Sequence, residues 1–85
     1  MENRKVLTVV EKRNGDKAIY VPVAGFENVP VVTLQKDGEI RWASIGPMVW
    51  EDAFQFSNAV RLALHLRDSK EQVGCGLCWT VKTEA

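Results

Sequence analysis

The sequence predicts an α+β fold in two layers, with a mainly antiparallel sheet of four or five strands and one long amphipathic helix packed on one face. Two pairs of short, valine- and isoleucine-rich segments each flank a turn that contains glycine, a pattern typical of β-hairpins. A later segment has apolar residues at helical spacing, and a final segment alternates as a short strand does. The hairpin segments cover residues 5–13, 16–23, 31–35 and 39–45, the helical segment residues 47–68, and the last segment residues 77–82.

The register of the first hairpin follows from charge pairing across its two strands. A tight two-residue turn sets Lys12 opposite Lys17, whereas a turn with Gly15 as a left-handed bulge residue sets Glu11 opposite Lys17. Opposite charges across a pair stabilise the hairpin and like charges destabilise it, so we predict the bulged turn. That register separates two faces, one with Leu7, Val9, Ile19 and Val21 and the other with Val6, Thr8, Val10, Ala18 and Tyr20.

The second hairpin is predicted in the same way. A bulged turn with Gly38 in the left-handed conformation pairs Leu34 with Ile40 and Val32 with Trp42, so that apolar residues share one face. A two-residue turn would instead pair Leu34 with a charged residue. Because a slip of one residue moves every side chain to the opposite face, we predict the bulged register, with these four apolar residues facing the helix.

The helix is expected from about residue 49 to about residue 69, because Gly46-Pro47 interrupts the preceding strand. A step of about 100° per residue defines one broad apolar arc. The predicted buried arc contains Ala53, Phe56, Ala59, Val60, Ala63, Leu64 and Leu66. The predicted polar side contains Glu51, Gln55, Asn58, Arg61 and His65.

Three apolar residues of the helix fall outside this arc. Trp50 and Phe54 lie on its rim beside the polar face, and Leu62 lies on the far side. The two aromatic residues have two interpretations: they pack under the corner between strand and helix, or they form a partner-binding patch, since aromatic residues are enriched at interface hot spots.

The last predicted strand places Trp79 and Val81 on one side and Cys78 on the other. It either extends the sheet beside the first strand or lies parallel to the fourth through a right-handed crossover. The sequence leaves both positions open.

Cys75 and Cys78 form a CxxC pair, a spacing that suits zinc ligation or dithiol chemistry. A structural zinc site needs four ligands, and His65 is the one histidine of the chain, so a site would need a carboxylate or a second subunit. The pair precedes a predicted strand instead of opening a helix, which is the wrong context for a low-pKa dithiol. We favour incidental cysteines, with a zinc site or thiol chemistry as the alternatives, and expect no other cofactor.

Composition bounds the remaining classes of function. The 85 residues include 11 basic and 11 acidic side chains, and this balance makes nucleic-acid binding a weak alternative. No apolar run approaches the roughly 18 residues of a membrane span, and residues 1–13 do not resemble a signal peptide. We therefore expect one small cytoplasmic domain. His65 has no oriented nucleophile or carboxylate beside it, so an enzyme is not expected.

An apolar strip on the sheet face opposite the helix is the strongest functional signal. It contains Val6, Thr8, Val10, Ala18 and Tyr20, with Val31 and Ala43. One helix cannot cover both faces of a sheet, and uncovered antiparallel faces are normally polar. Contiguous exposed apolar surface usually marks an interface. Alternatively, the loop at residues 24–30 or the C-terminal tail covers the strip.

These observations favour a non-enzymatic protein–protein interaction module, such as an adaptor, regulatory or inhibitory protein of the short kind found in bacteria and phages. A symmetric homodimer is the commonest way to bury such a strip. The predicted partner-binding residues are Val6, Thr8, Val10, Tyr20, Trp50 and Phe54.

Overall fold

The protein forms a five-stranded sheet with one helix packed against it, as shown by a computed structural model that describes residues 6–43, 50–68 and 78–84. The strands lie in the order β4-β3-β2-β1-β5, and all neighbours are antiparallel except β1 and β5. This confirms the predicted α+β fold. The elements are β1 (Leu7–Glu11), β2 (Lys17–Tyr20), β3 (Val32–Leu34), β4 (Ile40–Trp42), α1 (Trp50–Asp68) and β5 (Trp79–Thr83).

The bulged turn predicted for the first hairpin is confirmed. Glu11 pairs with Lys17, and the Lys12 amide donates to the Asp16 carbonyl at 2.8 Å. Gly15 has a φ of 97°, a left-handed value that side chains disfavour. The opposite charges therefore face each other as expected.

The second hairpin also has its predicted register, with Leu34 opposite Ile40 and Val32 opposite Trp42. Gly38 occupies the left-handed position with a φ of 95°. Trp42 lies on the face of the sheet that carries α1, as predicted, but its side chain is 57% exposed. The reason is topological: β4 is an edge strand, whereas α1 packs over β2 and β3.

The position of β5, which the sequence left open, is beside β1. The two strands run parallel, from Leu7 opposite Trp79 to Glu11 opposite Thr83. The chain therefore leaves the sheet at one edge strand, passes through α1, and returns at the opposite edge.

Two hydrogen bonds of Glu84 join the end of β5 to the end of β1 and the turn that follows it. Its amide donates to the Glu11 carbonyl at 2.9 Å, and its Oε1 accepts from the Arg13 amide at 3.1 Å. The bond from Arg13 is the main reason why the pKa of Glu84 lies below its ordinary value. The bond from Arg13 to the ionised carboxylate therefore stabilises the folded protein fully above the pKa that Glu84 has in the unfolded chain. This stabilisation is lost as the pH falls through the lowered folded-state pKa.

The core lies between α1 and one face of the sheet. Its buried cluster contains Leu7, Val9, Ile19, Val21, Val23, Val31, Val32, Phe56, Ala59, Leu62 and Ala63. The four residues predicted for the inner face of the first hairpin are all buried. Ala59 and Ala63 are fully buried, and their small side chains allow α1 to lie close to the sheet.

The buried side of α1 differs from the predicted arc. Leu62 is fully buried, whereas Leu64 is 39% exposed and Ala53 is exposed. Apolar residues occur almost all round this helix, so periodicity alone does not fix which side packs. The helix is rotated toward the side that carries Leu62.

Val31 also departs from its expected place on the face opposite α1. Its amide donates to the Ile19 carbonyl at 3.0 Å, although the ladder pairs Ile19 with Val32. Val31 and Val32 thus both lie opposite Ile19, which is the arrangement of a β-bulge. Both valines are fully buried in the core cluster. The bulge moves an apolar residue from the predicted strip into the core.

The two turn glycines provide a matched test of the hairpins. A Cβ on Gly15 would lie 3.2 Å from the Lys36 Cβ, whereas a Cβ on Gly38 would meet nothing within 4 Å. Both Gly→Ala variants force alanine into a left-handed conformation, at a cost of about 1–2 kcal/mol. We expect Gly15→Ala to lower the free energy of unfolding by more than Gly38→Ala, measured by urea denaturation. Equal losses would show that the contact with Lys36 contributes nothing.

Candidate functional site

The sheet face opposite α1, here called the outer face, is built by alternate residues of all five strands. Their neighbours in each strand lie on the side of α1, and those of the three inner strands supply the sheet residues of the buried core. The outer face contains Thr8 and Val10 of β1, Ala18 and Tyr20 of β2, Thr33 of β3, Arg41 of β4, and Thr80 and Lys82 of β5.

Strand pairing arranges these residues in rows across the sheet. One row runs from Lys82 through Val10, Ala18 and Thr33 to Arg41. The row is apolar in its centre and ends in an exposed cation at each edge. The outer face therefore has a narrower apolar strip than the sequence predicted.

A second row crosses the sheet beside the first. It joins Thr80, Thr8 and Tyr20. Thr8 and Tyr20 are half-buried, as are Val6 and Val10, whereas Ala18 is fully buried. The central residues of the outer face thus remain in partial contact with solvent.

A depression of about 300 Å³ lies on the outer face, and the predicted site residues form part of its wall. It is lined by Thr8, Val10, Tyr20, Glu27, Asn28 and Lys82. An aromatic ring and an apolar side chain are thus surrounded by a carboxylate, an amide and an ammonium group. Such a mixture is typical of a small recognition site, in which a few polar groups orient an apolar contact.

The loop at residues 21–31 supplies two residues of this depression. Phe26 anchors the loop on the core side, where its ring meets Phe56 edge-on at 5.1 Å. Glu27 and Asn28 are exposed and border the outer face. The loop therefore borders the strip instead of covering it, and residues 79–83 form the edge strand β5.

The predicted helix rim lies on a different surface. Phe54 is 61% exposed on α1, which packs against the face opposite Thr8, Val10 and Tyr20. Of Trp50, only its position as the first residue of α1 is described. The structure therefore does not bring the rim and the outer face together, and the packing expected for Phe54 under the strand-to-helix corner is wrong.

The sequence argument missed the exposure of two apolar residues on the edge strands. Trp42 on β4 is 57% exposed and Val81 on β5 is 49% exposed. Both lie on edge strands. Their side chains follow the predicted alternation, so the edge position, which only the topology fixes, accounts for their exposure.

The structure describes one of the two cysteines of the CxxC pair. Cys78 is a free, exposed thiol just before β5, and Cys75 lies outside the described residues. Within the described ranges, no three His, Cys, Asp or Glu side chains are grouped so as to hold a metal ion. The structure thus leaves zinc binding by this pair as a prediction.

His65, which the sequence placed on the polar side of the helix, is partly buried. Its ring meets that of Trp79 at 5.8 Å with an interplanar angle of 66°. Nε2 is buried and has no hydrogen-bond partner among the residues described. A buried polar atom without a partner costs about 1–3 kcal/mol.

Replacing this imidazole by an apolar group should therefore stabilise the protein. We expect His65→Leu to raise the free energy of unfolding by about 1 kcal/mol, measured by urea denaturation. Ser57→Leu, at an exposed position of α1, is the control for helix propensity. A loss of stability in His65→Leu beyond that control would reveal a hydrogen bond that Nε2 makes in the folded protein.

Comparisons with models of protein families, with curated proteins and with solved structures find no match to this chain. Over its 19 residues α1 lacks the sustained apolar character that a helix needs to cross a membrane, and it is the one helix in the described ranges. The function of this chain is therefore inferred from its own surfaces.

Proposed function

We propose that this chain is a non-enzymatic protein–protein interaction module that self-associates through its outer face. The observation that carries the proposal is the one-sided packing of α1, which leaves Val10 and Tyr20 half-buried in the centre of the opposite face. An apolar centre with a polar rim is the usual anatomy of an interface. Tyrosine is also among the residues most often found at interface hot spots.

The layout of the outer face favours a second copy as the occupant. In a two-fold dimer each copy contributes the same patch. An axis that crosses β2 between Ala18 and Tyr20 places the Tyr20 ring of each copy above Ala18 of the other. There it can contact Val10 and Thr33 on either side, which are half-buried, because Ala18 itself has no exposed surface. The same axis places Thr8 over Val10, because these residues are paired with Tyr20 and Ala18.

The cations Lys82 and Arg41 distinguish between two possible directions of the two-fold axis. With the axis across the strands, Lys82 faces Thr80 of the second copy, and Arg41 faces Ala43. An axis along the central strand β2 would instead place Lys82 over Arg41, because these cations end the same row. Facing like charges destabilise an interface. The proposed dimer therefore has its strands antiparallel across the interface, within the angles usual for aligned sheets.

The proposed role is that of an adaptor, regulatory or inhibitory protein of the cytoplasm. A second partner would compete with the second copy for the same strip, or bind the exposed rim of α1 that includes Phe54. The exposure of Phe54 supports the latter arrangement.

A buried charge on the strip should break the dimer. We expect Val10→Glu to weaken self-association at least about 100-fold, or about 2.8 kcal/mol, in sedimentation equilibrium. Val81→Glu is the matched control, because the same change lies on the neighbouring strand but on the helix side. Far-UV circular dichroism checks that both variants are folded.

Two results would contradict the proposal. One is a folded Val10→Glu protein that keeps the wild-type association constant, and the other is a wild-type protein that remains monomeric at high concentration. Tyr20→Glu, on the paired strand, should reproduce the effect of Val10→Glu.

Metal or thiol chemistry at Cys75 and Cys78 is the second proposal. One observation supports it: the unpartnered Nε2 of His65 lies on a ring that contacts Trp79, the residue after Cys78. A native mass spectrum of protein purified without chelator reports subunit number and bound metal together. Zinc that disappears in a Cys75→Ser, Cys78→Ser variant would place the function there, and a metal-free dimer would favour the outer face.

A further inference from the structure

Three cations that are far apart in the sequence meet at the end of the sheet where both hairpin turns lie. Lys17, Lys36 and Arg67 line a depression of about 240 Å³ between the two turns and the last turn of α1. Leu34, Leu66 and Gln35 complete its wall together with the two turn glycines. This turn-end depression lies on the helix side of the sheet, apart from the outer face.

Lys36 is held in place by the neighbouring turn. Its amide donates to the Asp16 Oδ1 at 3.1 Å, which joins the two turns. Its Cβ and Cδ lie so close to Gly15 that a Cβ there would be 3.2 and 3.3 Å from them. The stem of Lys36 therefore runs over the glycine, and its direction is set by the fold.

The other two cations are also positioned by their elements. Lys17 is half-buried and lies opposite Leu34, which is buried. Arg67 donates its Nε and Nη2 to the two oxygens of Asp68, at 2.7 and 3.0 Å. These bonds orient the guanidinium and leave three of its five N–H donors for another acceptor.

Positive side chains outnumber negative ones around the turn-end depression. No carboxylate belongs to its described lining, although Asp68 partly offsets the charge of Arg67. The Asp16 carboxylate also lies beside the Lys36 amide. Lys17 and Lys36 form no ion pair with any residue in the described ranges. Two lysines and one arginine thus line a depression whose wall also contains two leucines.

We propose that the turn-end depression binds a small ligand through a phosphate group. Ammonium and guanidinium donors suit phosphate oxygens, since such charge-assisted hydrogen bonds are about twice as strong as neutral ones. The two leucines provide an apolar surface for an organic substituent on the phosphate. This site is independent of self-association, because none of its residues lies in the central strip of the outer face.

Amide chemical shifts in a phosphate titration test the proposal. We expect inorganic phosphate, at constant ionic strength, to shift the amides of Gly15, Lys36 and Gly38 in a saturable way. Phenyl phosphate should produce the same shifts at lower concentration if the two leucines contribute. A free phosphate ion and an organic phosphate are thereby distinguished as the source of the group.

Charge-neutral variants show whether the named cations carry the binding. We expect Lys17→Gln with Lys36→Gln to weaken phosphate binding at least about tenfold, whereas Lys82→Gln, on the outer face, leaves it unchanged. All three substitutions nearly conserve side-chain length; Lys36 and Lys82 are exposed, and Lys17 is half-buried. Shifts that chloride reproduces, shifts that persist in the double variant, or no saturable shifts would each overturn the proposal.

Discussion

The parallel pairing of β5 with β1 is the constraint on which the rest of the structure depends. It requires the chain to cross from the edge strand β4 to the opposite edge, and α1 makes that crossing on one face of the sheet. The strands β1 and β2 consequently have one face in the core and one face on which no helix of the described ranges packs. Both the core and the outer face follow from this single connection.

The width of a helix explains which apolar residues stay exposed. A helix with its side chains is about 10–12 Å across, whereas the outermost of five strands lie about 19 Å apart. One helix over β2 and β3 therefore leaves both edge strands partly uncovered. Trp42 at one edge and Val81 at the other are the result, although each occupies the face that its alternation predicts.

Patterns among neighbouring residues correctly predicted the hairpins, whereas packing between distant segments determined the features that the sequence did not predict. The first hairpin register followed from charge pairing and Gly15, and the second from apolar pairing and Gly38, all within a few residues of each turn. The same two-residue period correctly placed Thr8, Val10 and Tyr20 on one face. The burial of Leu62, the shift of Val31 into the core, and the meeting of Lys17 with Lys36 and Arg67 depend on contacts between distant segments. No local pattern specifies these contacts.

The composition of the outer face indicates what kind of association to expect from it. The bulge at Val31 moves a large apolar residue into the core, and Thr8, Thr33 and Thr80 occupy much of the face that remains. Threonine hydroxyls are satisfied by water in a free monomer and by partners or bridging water in a complex. Obligate dimers bury more apolar surfaces than a face that carries these three threonines and a cation at each edge. The proposed dimer is therefore of the reversible class, in which a folded monomer exchanges its second copy for another partner.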